Sequence, residues 1–208
     1  GEISLPEQKG NKIRLQLYPE QSVFVKCSEE RMNAKQYFYQ DNTAEPVEIK
    51  SAWTVDFIEG GPELPEEYTT NQLTSWTEQG DETTRFTGTA RYSITFNWNG
   101  KGKQAVLNLG NVKDCARVKL NGKDYGTLLG PAFKCVVDNL KTGENNVEVE
   151  VTNVAANRIR DLDRRGVDWK KFYDINFVNI DYETFDASGW EIRFAGLLGP
   201  VKLFSVDN

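Results

Sequence analysis

Residues 85–98 read RFTGTARYSITFNW. Taken in steps of two, Phe86, Gly88, Ala90, Tyr92, Ile94, Phe96 and Trp98 fall on one side, and Arg85, Thr87, Thr89, Arg91, Ser93, Thr95 and Asn97 on the other. Side chains of a strand alternate between faces, so this run carries one apolar and one polar face. Fully extended at about 3.3 Å per residue it would reach roughly 46 Å, well beyond an ordinary strand. A bend or bulge is therefore expected, at Gly88, where the apolar side has no side chain. A long strand buried on one face needs a second sheet above it, which points to a β-sandwich.

The flanking sequence repeats the pattern in shorter pieces. On the N-terminal side, residues 12–18 alternate Ile13, Leu15 and Leu17 with polar neighbours, and residues 21–26 form a second short run, together a hairpin-like opening. Residues 28–45 are polar around an aromatic knot at 37–39 and read as a loop or short helix. Residues 46–58 read as strand, Gly60-Gly61-Pro62 breaks it, and 63–84 form a long acidic connection interrupted by Trp76. On the C-terminal side, 97–103 is a turn and 104–109 a strand. Ala116, Val118 and Leu120 then alternate with Arg117 and Lys119 up to Asn121-Gly122, the signature of a type I′ hairpin turn. Residues 125–129 return, 133–137 and 147–152 are further strands, and 197–206 close the chain. The helix expected is 154–165, capped by Asn153, paired Asp161 to Arg165 and ended by Gly166. Residues 167–196 are aromatic and irregular. Regularly spaced short strands favour an all-β sandwich.

Composition excludes several chemistries. The chain of 208 residues contains no histidine, which removes Ser-His-Asp and Cys-His machinery, the usual zinc sets and any histidine base. A formal net charge of −6 gives no basic footprint for nucleic acid. Three cysteines, Cys27, Cys115 and Cys135, are not a disulfide framework; they read as buried free thiols, or as one Cys115–Cys135 bridge if their strands are neighbours. No apolar run approaches the roughly 20 residues of a membrane span, and no signal-peptide pattern is found.

Four motifs carry a resemblance: SWTEQGDETTRFTGTARYSITF (75–96), LNLGNVKDCARVKLNGKDYGTLLGP (107–131), GENNVEVEVTNVAANRIRD (143–161) and AGLLGPVKL (195–203). In this order they resemble the C-terminal region of bacterial α-L-rhamnosidase-like enzymes of glycoside hydrolase family 106. More loosely they are similar to the sugar-binding jelly roll of family 2. The resemblance implies a galactose-binding-domain-like jelly-roll β-sandwich over residues 46–208. Residues 1–45 would then be the last strands of a preceding β-domain. It also implies a large secreted or periplasmic parent glycosidase acting on plant-type polysaccharide, with its catalytic carboxylates in an upstream (β/α)8 barrel. Nothing in this chain supplies eight βα units, so no catalytic residue carries over. The reading is a non-catalytic accessory module that packs on the upstream catalytic domain and contacts carbohydrate. The alternatives are a free-standing carbohydrate-binding module and, third, an independent hydrolase.

Candidate sugar-contacting residues are Trp76, Trp169, Tyr173 and Trp190, which lie in connections where a flat ring can stack on a sugar, or else seal the sandwich ends. Trp53 and Trp98 fit core faces. Arg85 and Arg91, on the polar face of the central strand, suit sugar oxygens, against a plain solvated face. The helix residues Arg158, Arg160, Asp161, Asp163, Arg164 and Arg165 either grip a catalytic domain or an acidic sugar, or neutralise one another on the surface. Glu148 and Glu150 share a strand face, and the alternation around them says solvent. A structural calcium, which the resemblance also implies, would use loop oxygens such as those of Asp181, Glu183 and Asp186.

Overall fold

A computed structural model describes residues 3–17, 22–30, 32–37, 39, 45–100, 104–130, 132–171, 178 and 180–205. The opening residues form two small pairs: β1 (Ser4–Leu5) parallel to β4 (Lys35–Gln36), and β2 (Gln8–Lys9) antiparallel to β3 (Lys12–Ile13). The hairpin expected from 12–18 and 21–26 is therefore displaced: its turn is at Gly10, φ +63°, and residues 22–28 join no strand. The reason is burial. Leu15, Leu17, Val23, Phe24 and Val25 are all exposed, so no sheet face rewards their alternation. Tyrosines hold this segment together instead. The Tyr37 hydroxyl donates to the Gln16 carbonyl at 2.6 Å and the Tyr39 hydroxyl to that of Arg14 at 2.8 Å.

The sandwich runs β5 (Val47–Glu48), β6 (Trp53–Gly61), β7 (Tyr68–Thr70), a 3-10 turn (Trp76–Glu78), α1 (Asp81–Arg85), β8 (Thr87–Trp98) and β9 (Ala105–Asn108). It continues through β10 (Asn111–Lys113), β11 (Cys115–Leu120), β12 (Lys123–Leu129), β13 (Lys134–Val137), β14 (Gly143–Thr152), α2 (Ala156–Arg164), β15 (Gly196–Gly199) and β16 (Lys202–Ser205). One sheet has six strands in the order β12-β11-β14-β8-β6-β7, the other four in the order β13-β9-β16-β5, and β10 pairs with β15 beside them. Pairing is nested: β8 with β14, β9 with β13, β11 with β12, all antiparallel. A long hairpin rolled over on itself gives this order, which is the jelly roll expected.

Both sheets contribute to one core. Val55, Tyr92, Val118 and Val149 of the larger sheet meet Ala105, Leu107, Val137 and Leu203 of the smaller. Full burial of such side chains contributes about 1.5–3 kcal/mol each. Trp53 and Trp98 are buried as expected, and so is Trp76, which is fully enclosed. Phe57 and Phe86 meet the Trp76 ring edge-on at 5.7 and 5.9 Å.

The central strand starts later than its alternation suggests. Arg85 ends α1 and Phe86 turns the chain, so the ladder begins at Thr87. The bulge falls on the partner: β6 inserts Ile58 between the pairs Phe57–Ala90 and Glu59–Thr89. Gly88 is needed for close approach. A Cβ there would lie 2.1 Å from the Glu59 carbonyl oxygen and 2.6 Å from the Gly60 Cα. Asn153 does not cap α2. Its side chain accepts from the Gly88 N–H at 2.9 Å and donates to the Phe86 carbonyl at 3.1 Å, while Ala155 holds the N-cap with no side-chain bond. The Asp161–Arg165 pair forms at 2.9 Å, and Gly166 follows α2 with φ +65°.

Gly88→Ala is expected to lower stability by about 2 kcal/mol or more, because backbone on two strands must move. Gly122→Ala, at a position with nothing within 4 Å, should cost less despite its φ of +77°. Thermal melts of the two variants check this; equal costs would remove the close-packing account of Gly88.

Candidate functional site

The outer face of the six-stranded sheet is occupied by its own charges. Register places Arg91 and Arg117 on either side of Glu150. Arg91 reaches the Glu150 carboxylate through Nε at 3.3 Å and Nη2 at 3.2 Å, and Lys119 Nζ reaches it at 3.2 Å. Burial alone would raise the Glu150 pKa, but Lys119 and Arg91 outweigh it and hold it below the ordinary range. Glu150 is thus kept ionised, the wrong state for a general acid. Arg117 pairs with Asp124. Arg85 lies away from this face, at the end of α1, largely buried and paired with Glu63.

The irregular segment after α2 gathers two of the expected tryptophans. The Trp169 and Trp190 rings each meet Phe185 edge-on, at 6.1 and 5.6 Å. The support is Asp163 of α2, whose side chain is 7% exposed. It accepts from the Trp169 indole N–H at 2.7 Å and the Ala187 N–H at 2.7 Å, and faces Lys170 Nζ at 3.4 Å. Burial raises its pKa, yet the Ala187 and Trp169 hydrogen bonds and Lys170 leave it lowered overall. Arg160 Nε donates to the Trp190 carbonyl at 2.6 Å, and Arg158 pairs with Asp161 at 3.0 Å, so these charges of α2 are used within the fold. Trp190 is 41% exposed, and Trp169 is half-buried. Phe185 found no place in the sequence-based set; its spacing in a segment dense with rings gave no means of singling it out.

The six candidates therefore separate. Trp76 is sealed in the core by Phe57 and Phe86 and cannot present a face to a sugar. Arg85 and Arg91 are held in ion pairs. Trp169 and Trp190 share one aromatic ledge. Tyr173 lies outside the described residues. Among the described residues, no three His, Cys, Asp or Glu side chains come together to hold a metal.

A separate cleft of about 210 Å³ opens between Trp53, Leu73 and the β15–β16 turn, rimmed by Glu48, Lys50, Asn71 and Gln72. Small-molecule sites are usually larger, about 300–1,000 Å³. The described carboxyls with displaced pKa values, Asp124, Asp138, Glu150, Asp163 and Asp186, are all displaced downward. The cysteines are free: Cys115 and Cys135 lie on strands of different sheets, and burial pushes the Cys135 thiol up to about 12.

No family model matches the chain. It is 33% identical over 187 residues to a Formosa agariphila protein named "Putative beta-glucuronidase", covering 76% of this chain and 16% of that protein. Among solved structures it is similar to a rhamnosidase from Novosphingobium sp. PP1Y, with a TM-score of 0.62 and 25% identity, over 82% of this chain and 16% of that one. A β-glucuronidase from Bifidobacterium dentium shares the fold, with a TM-score of 0.53 and 19% identity over 81% of this chain and 31% of that one. The chain thus spans about a sixth of the curated relative and of the rhamnosidase, and is related to part of glycoside hydrolases.

Asp163→Ala is expected to open the aromatic ledge, leaving buried donors unpaired at a cost of about 2–3 kcal/mol. Because the folded Asp163 pKa lies below the unfolded value of about 3.9, its contribution is complete above that pH and fades as pH falls through the folded pKa. Near-UV circular dichroism should show this acid transition in the parent and not in the variant. In the native protein at mildly alkaline pH, a thiol reagent should modify exposed Cys27 quickly and Cys135 only on unfolding. Equal rates at the two would overturn the burial account.

Proposed function

We propose that this chain is a non-catalytic accessory β-sandwich module of a rhamnosidase-like glycoside hydrolase of the family 106 type. It packs on the catalytic domain of the same polypeptide. The observation that carries this reading is the match to the Novosphingobium rhamnosidase, where four-fifths of this chain accounts for one-sixth of that one. Two features of the molecule support it. The displaced carboxyls are all held ionised, so none offers the raised pKa that a glycosidase general acid needs. In addition, Val23, Phe24 and Val25 stand exposed on a segment that contributes nothing to the sandwich core, Phe24 at 104%. That surface suits contact with a neighbouring domain, in line with residues 1–45 ending a preceding β-domain. A periplasmic or secreted location goes with this reading.

A second reading, a free-standing carbohydrate-binding module, is favoured by the exposed Trp190 ring on its Phe185 support. Plant-type oligosaccharide is the ligand class it implies.

The isolated chain is expected to leave aryl α-L-rhamnosides and aryl β-D-glucuronides intact. Turnover that survives repurification would overturn the accessory reading. Tryptophan fluorescence during titration with rhamnose-containing oligosaccharides separates the two readings. A saturable change lost in Trp190→Ala establishes sugar binding at the ledge; a flat response leaves the packing module.

A further inference from the structure

Residues 191–195 lead into β15 and lie outside its ladder, but their hydrogen bonds follow the pattern of a strand edge. Asn157, buried on α2, accepts from the Arg193 N–H at 2.9 Å and donates to the Arg193 carbonyl at 2.8 Å. Two residues on, the Ala195 N–H donates to Ser75 Oγ at 2.9 Å, and the Ala195 carbonyl accepts from Ser75 Oγ and the Trp76 N–H, both at 3.1 Å. Both backbone groups of alternate residues pointing one way is the pattern of an extended strand. The backbone groups of Ile192 and Phe194 therefore point the other way, and among the described residues they have no partner. Side chains alternate as well. Ala195 is buried, so Ile192 and Phe194 face outward, 46% and 56% exposed. An unpaired edge with outward apolar side chains is a template for another strand.

We propose that this edge pairs antiparallel with the same edge of a second copy of the chain, about a two-fold axis at Ile192. The argument is self-complementarity. With Ile192 opposite Ile192 of the second copy, Glu191 falls opposite Arg193 and Arg193 opposite Glu191, two opposite-charge pairs in one short ladder. The ladder is short, since the Trp190 N–H is taken by the Ala187 carbonyl and its own carbonyl by Arg160. Parity agrees: the residue at the axis is one whose N–H and C=O both face outward, so the two copies of Ile192 exchange a pair of N–H···O bonds. A shift by one position along one strand sets outward-facing backbone groups against inward-facing ones and puts Ile192 opposite a charge. Such a contact is isologous and closed, giving a dimer and no fibre. It involves neither the N-terminal Val23–Val25 surface nor the cleft, so it stands whether or not the accessory reading holds.

Sedimentation velocity of the purified chain over a wide concentration range tests this. A reversible monomer–dimer equilibrium is expected. Glu191→Arg should weaken it about tenfold or more, by setting like charges opposite one another at both symmetric positions. The double variant Glu191→Arg, Arg193→Glu should restore it, because the exchange preserves the pairing. Ile192→Pro, which removes the outward N–H, should abolish it, and Phe24→Asp should leave it unchanged. Near-UV circular dichroism confirms that each variant is folded, and the charge exchange tests the register if Ile192→Pro is not. A monomer at all concentrations overturns the proposal, as does association lost in Phe24→Asp or insensitive to the Glu191 exchange.

Discussion

Ten consecutive residue pairs join β8 to β14, from Thr89–Thr152 to Trp98–Gly143, and the remaining pairing follows from them. Once these two strands lie side by side, the chain between them must fold back on itself. It does so by pairing β9 with β13 and β11 with β12. The ladder also sets which side chains go inward. Ala90, Tyr92 and Ile94 enter the core while Arg91 and Ser93 face out, and a slip of one residue would reverse every one of them. Gly88 and Gly60 close the far end of this arrangement, letting Phe86 reach Trp76 beneath the bulge. The bulge, the two glycines and the aromatic cluster form one unit.

The polar side chains within this frame serve the fold. Glu150 holds three strands together through Arg91 and Lys119, Asp163 organises the segment after α2, and Asn153 ties the start of β8 to the end of β14. The two carboxylates used in this way are charged, oriented and unavailable for proton transfer. Among the described residues, apolar surface stands exposed at 23–25 and at 190–194, beside the backbone edge at Ile192. Such surfaces suit contact between chains or domains, and this is why the functional reading rests on contact.

The strands were legible where alternation and burial coincide. Residues 87–98, 116–120 and 147–152 read correctly because each has one face turned to a core, while Arg85 and Phe86 belong to α1 and the turn after it. The same alternation at 12–18 and 21–26 misled, since its described members Ile13, Leu15, Leu17, Val23 and Val25 are exposed and periodicity alone cannot supply a covering sheet. Trp76 was misplaced for a related reason. It sits in an acidic connection that reads as loop, but the connection folds into a 3-10 turn capped by Ser75, followed by α1, and together they carry the ring inward. Of the candidate site, Trp169 and Trp190 were found by type and position. Phe185 was not singled out, and Asp163 was read only as one of the helix charges, because contacts made within irregular chain, such as Trp169 to Phe185 across 16 residues, leave no periodic trace.

The turn at Asn121-Gly122 has a bearing on how this protein ages. The backbone of an Asn-Gly step is prone to cyclise, releasing ammonia and leaving aspartate or isoaspartate. Here the Asn121 amide nitrogen donates to the Asn139 carbonyl at 2.7 Å and to the Asn145 side-chain oxygen at 2.9 Å, while its oxygen accepts from the Asn146 N–H at 3.0 Å. These bonds restrain the side chain and must break before it can reorient for attack by the following peptide nitrogen, so the fold itself slows the reaction. Once it occurs, a carboxylate replaces the donor and confronts two oxygens that had been its partners. Damage at one surface turn would then spread to the corner that joins β13 to β14, and the native lifetime of the protein is set in part by a single amide.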